Sequence, residues 1–67
     1  MTRWVVRPVK DAEQVIRDLE TEGRPFAGRS IRLAVDGGFR GLWFVVERAV
    51  ERPSDPGTWD VYVSRKE

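Results

Sequence analysis

Cysteine and histidine are both absent from this sequence. The first absence excludes a disulfide and any thiolate-held metal. The second removes the commonest general base and the imidazole metal ligand. No charge of one sign dominates either, since 12 basic residues against 11 acidic ones leave a net charge of +1. Long apolar runs are missing too. The longest, Leu42-Trp43-Phe44-Val45-Val46, falls far short of the roughly 20 residues of a membrane-spanning helix. The opening MTRWVVRP lacks the apolar core of a signal peptide, so a cytoplasmic location is expected.

Length is short as well. At 67 residues the chain is read as one small domain, 1–67, and such a domain buries only about 60% of its unfolded surface. With no staple available, it must rely on packing or on a partner's surface. Apolar residues at 40% and charged residues at 34% suit a folded domain rather than a disordered one. The small net charge hides an asymmetry. Asp11, Glu13, Asp18, Glu20 and Glu22 against Arg17 give −4 between residues 11 and 23, so the remainder carries +5.

Local patterns predict the elements. Arg3 to Arg7 is rich in Val and Trp and reads as a strand, ended by Pro8. Asp11 and Gln14 fit a capping box, with Ala12, Val15, Ile16 and Leu19 following at helical spacing. Gly23 and Pro25 then supply a stop, which predicts a helix from Ala12 to Glu22 with Glu13 and Arg17 as an i,i+4 pair. Phe26, in the loop after it, is expected to tuck under the sheet edge. Ser30 to Asp36 and Trp59 to Ser64 alternate with period two, and Leu42 to Val50 is the strand between them. Pro56-Gly57 fits the centre of a type II turn.

The fold class that follows is α+β: one helix packed on one face of a three- to four-stranded, mostly antiparallel sheet, in the order β-α-β-β-β. Asp36-Gly37-Gly38-Phe39-Arg40-Gly41 carries three glycines between two strands. A phosphate-cradling loop needs a helix after it, and a strand follows here, so a hairpin turn is the expectation.

The run from Leu42 to Val46 puts bulk on both faces of its strand. Leu42, Phe44 and Val46 can face the helix with Ile31, Leu33, Val35, Trp59, Val61 and Val63. Trp43, Val45 and Tyr62 then point the other way, with Ala34 and Arg32 beside them. One helix cannot cover both faces, so an open second face is expected as a contact surface. Arg48 breaks the pattern by falling on the inward parity, and a bulge near Val46 or Glu47 restores it.

Function is read from this face. Ser30, Ser54 and Ser64 have no histidine as base, and no cleft of convergent polar groups is visible, so no enzyme is expected. No cofactor, metal, membrane or small-molecule substrate is inferred. The chain reads as a non-catalytic binding module that meets another protein or its own copy. Trp43, Val45 and Tyr62 are the expected anchors, with Arg32 and Arg40 at the rim. The alternative is nucleic-acid binding through the same aromatics and arginines. Arg40 to Glu47 shares four positions with the RNA-recognition-motif pattern, but Leu42, Trp43 and Glu47 depart from it and the second helix is missing. A pI of 8.3 is below that of a strongly basic nucleic-acid binder.

Overall fold

A computed structural model of the chain describes residues 1–34 and 41–66. It contains five strands, β1 (Thr2–Pro8), β2 (Arg17–Thr21), β3 (Ser30–Ala34), β4 (Gly41–Glu51) and β5 (Thr58–Arg65). They form one curled mixed sheet in the order β2-β1-β5-β4-β3, a half-barrel in which β1 and β5 run parallel and the other neighbours antiparallel. There is no helix among the described residues. The expected α+β class and its β-α-β-β-β order are therefore wrong, and the fold is all-β.

The error lies between residues 11 and 22. Asp11 and Gln14 close a turn instead of capping a helix. The Asp11 N–H donates to the Pro8 carbonyl at 3.2 Å, and the Gln14 N–H donates to the Asp11 carbonyl at 3.1 Å. The Ile16 N–H then reaches the Val6 carbonyl at 2.8 Å and starts the return strand. β2 lies against β1 with Leu19 opposite Trp4 and Glu20 opposite Arg3. Leu19 packs on the core while Asp18 and Glu20 stay exposed. An isolated helix of about eleven residues is marginal in water. Pairing with β1 satisfies the second side of the β1 backbone and one side of the β2 backbone, and sets carboxylates against arginine across the strands.

Without a helix, the sheet covers its own inner face by curling. Trp4, Val6, Leu33, Phe44, Val46, Val61 and Val63 form the buried cluster, with Ile16, Leu19, Ile31, Leu42, Ala49 and Trp59 packed against it. The inward residues expected of β3, β4 and β5 are all in this set except Val35, which lies outside the described residues. The expected bulge is present. Val46 pairs with Val63, and Arg48 with Tyr62, so Glu47 is the extra residue. That insertion turns Arg48 outward and brings Ala49 onto the core. The β4–β5 connection contains the expected type II turn. The Thr58 N–H donates to the Asp55 carbonyl at 3.1 Å across Pro56 and Gly57, and Gly57 has φ 91°. The glycine hairpin from Asp36 to Arg40 lies outside the described residues.

Candidate contact surface on the outer face

The outer face divides into two halves of different chemistry. In the β2-β1-β5 half, Val5 points outward yet is only 4% exposed. It stands opposite Asp18 on one side and Asp60 on the other. Arg3 Nε donates to Asp18 Oδ1 at 2.9 Å, and its Nη2 contacts Asp18 Oδ2. Arg52 grips Asp60 with two bonds, at 3.0 and 2.9 Å, and Arg7 Nε adds a third at 3.2 Å. Arg7 Nη1 also donates to the Ala12 carbonyl at 2.9 Å, which ties down the first turn. An ionic layer thus stands where a second covering element was absent.

These contacts set the local electrostatics. Hydrogen bonding from Arg3 holds the Asp18 carboxyl below its ordinary range against a weaker desolvation effect. The bonds from Arg52, then those from Arg7, do the same for Asp60. The Arg3 and Arg52 guanidiniums are raised in turn by their carboxylate partners.

In the β4-β3 half, Trp43 stands opposite Arg32 and is 50% exposed. Val45 is half-buried between Ser30 and Ser64. Small polar contacts close around it. Ser64 Oγ donates to Glu47 Oε1 at 2.5 Å, and Lys66 Nζ to Ser30 Oγ at 3.3 Å. The Lys66 N–H is bonded to the Trp43 carbonyl at 2.9 Å. Arg32 lies across Gly41, donating to its carbonyl at 3.4 Å. A Cβ at Gly41 would stand 2.6 Å from Arg32 Cγ, so only glycine admits this placement. Arg32, Arg65 and Lys66 make no ion pair among the described residues.

The expected surface is therefore brought together only in part. Trp43, Val45 and Arg32 are neighbours. Tyr62 lies beyond the bulge, half-buried, with the Arg48 guanidinium 4.6 Å from its ring centroid. It is a covered ring rather than a free anchor. Arg40 lies outside the described residues.

Two features went unread in the sequence. The loop after β2 crosses from one sheet edge to the other, and the Arg29 guanidinium sits 5.4 Å from the Trp4 ring and 5.7 Å from the Phe26 ring. The Trp4 indole donates to the Gly23 carbonyl at 3.0 Å. Phe26 does not tuck under the sheet. It is 60% exposed, because the buried aromatic position at this end is taken by Trp4. The second feature is an open groove of about 350 Å³ where the sheet fails to close, lined by Leu19 and Thr21 of β2, Ile31 and Leu33 of β3, and Trp4. Nothing in a one-dimensional pattern announces either, since both arise from curl.

No group of three or more potential metal-ligating side chains occurs among the described residues. No helix long and apolar enough to cross a membrane occurs among them. The chain matches no protein-family model, no curated protein and no solved structure.

Proposed function

We propose that the chain is a non-catalytic binding module that works through protein–protein contact on the β4-β3 half of its outer face. Trp43 is the anchor, Val45 the apolar floor beside it, and Arg32 the rim. The single observation that carries this reading is the half-exposed indole of Trp43 on β4, a strand paired on both sides. Tryptophan and arginine are the residue types that most often dominate binding energy, and a strand holds them at low entropic cost.

A photo-crosslinking aromatic residue placed at position 43 tests the proposal in the native cell. A discrete protein adduct is the expected result. The same probe at Val50, also exposed on this face but on the far side of the bulge, should give none. No adduct from position 43 overturns the proposal.

A second reading rests on cations near that indole that make no ion pair among the described residues. Arg32 stands opposite Trp43 and the Lys66 N–H is bonded to the Trp43 carbonyl, a placement that suits base stacking with phosphate contact. On this reading the adduct disappears after nuclease treatment, and oligonucleotide binding weakens steeply with salt.

A further inference from the structure

The sheet ends on β2 at one side and β3 at the other, and these two edges carry opposite charge. β2 starts at Arg17, bears Asp18 and Glu20 and runs on into Glu22, a net negative edge, whereas β3 bears Arg32 and is preceded by Arg29. An open edge strand is a template for another strand. Asp18 is held by Arg3, which leaves Glu20 for a neighbour.

Strand direction and hydrogen-bond phase both fit such a neighbour. β2 runs against β1, β1 runs with β5, β5 against β4, and β4 against β3. β2 and β3 therefore point in opposite directions, and a second copy can bring its β2 antiparallel to β3. Val46 exchanges both backbone bonds with the Gly28–Arg29 segment, so Val46, Phe44 and Leu42 address the β3 side. Their partners Ile31 and Leu33 are thereby used, and the backbone groups of Ser30 and Arg32 face the open edge. On the opposite edge, the Arg3 N–H donates to the Gly57 carbonyl, so Arg3 and Val5 address β5 while Trp4 and Val6 address β2. That occupies Leu19 and Arg17 and leaves the backbone groups of Asp18 and Glu20 outward.

Setting Glu20 opposite Arg32 aligns these free groups. The same register sets Leu19 opposite Leu33 on the apolar side and Glu22 opposite Ser30. Like edges do not fit each other: β2 on β2 opposes carboxylates, and β3 on β3 brings arginines together. We infer that the chain self-associates head to tail, the acidic β2 edge of one copy pairing antiparallel with the basic β3 edge of a second, with Glu20 facing Arg32.

This contact lies on the sheet edges and shares Arg32, but not the Trp43 anchor, with the surface of the proposed function. Sedimentation of the full chain over a concentration series at low and high salt tests it. Association that weakens with salt is expected. Glu20→Arg and Arg32→Glu should each weaken it at least about fivefold, and an equimolar mixture of the two variants should restore it, because each then offers the edge the other needs. Circular dichroism confirms that both variants fold, and Glu20→Gln with Arg32→Gln serve as milder substitutes if either does not. Trp43→Ala should leave the association unchanged, so failure here is distinguishable from failure of the proposed function. A wild-type chain that stays monomeric at every concentration and low salt overturns the inference. Single variants that associate as the wild type does, or a mixture that restores nothing, also overturn it.

Discussion

Val5 and Trp43 point to the same side of one sheet and meet opposite fates. Val5, the smaller side chain, is sealed between the Arg3–Asp18 and Arg7–Asp60–Arg52 contacts. Trp43, with far more apolar surface, is left half in water. The difference is one of ionic cover. On the β2-β1-β5 half, carboxylates on the two outer strands bracket a central strand of arginines. On the β4-β3 half, Arg32 and Lys66 close no ion pair among the described residues, and the Glu47 carboxylate there is bonded to Ser64 instead. Apolar size alone does not decide what is buried. The supply of countercharged neighbours does.

The most damaging way to break this comparison is to remove the wall both halves stand on. Trp4→Ala deletes a buried indole and its bond to Gly23, and should cost about 3–5 kcal/mol, enough to unfold much of the population in a denaturant titration. Next comes the sealed half itself. Val5→Ala should cost about 2 kcal/mol and lower the melting temperature on the order of 10 °C, although Val5 lies outside the main apolar cluster.

Asp60→Asn should cost about 1 kcal/mol at neutral pH, after discounting for its partial solvent contact. The folded-state pKa of Asp60 lies below its unfolded value near 3.9. Its contribution is therefore complete above that pH and is lost as pH falls through the lower, folded-state value. Wild type and variant should converge in stability on acidification, as thermal melts at descending pH will show. The smallest effect belongs to Trp43, a side chain as large as that of Trp4. Trp43→Ala should change stability by under about 1 kcal/mol while abolishing the crosslinked partner. A cost near that of Val5→Ala would erase the contrast between the halves.

Much of this was legible in one dimension. Period-two alternation located β3 and β5, the apolar run between them located β4, and parity gave the inward set from Ile31 to Val63. The parity conflict at Arg48 announced the bulge at Glu47, and Pro56-Gly57 announced its turn. Residues 11–22 misled because their apolar spacing serves two structures. Ala12, Val15, Ile16 and Leu19 suit a helix face, yet Asp18-Leu19-Glu20-Thr21-Glu22 also alternates with period two. Local spacing could not decide between them. The deciding term was non-local: β1 needed a partner on its second edge, and Arg3 met carboxylates there. The site suffered in the same way. Trp43 was correctly placed on the outer face from parity alone, but the arginine over Tyr62 depends on the bulge offset. The ion pairs that seal Val5 join residues up to 53 positions apart.

Indole N–H resonances of the wild-type chain, recorded with and without a soluble paramagnetic agent, test the central claim directly. The account predicts that the Trp43 signal exchanges fast with water and is bleached by the agent, while the Trp4 signal, bonded to Gly23 and buried, is protected from both. A Trp43 indole as protected as that of Trp4 would contradict it.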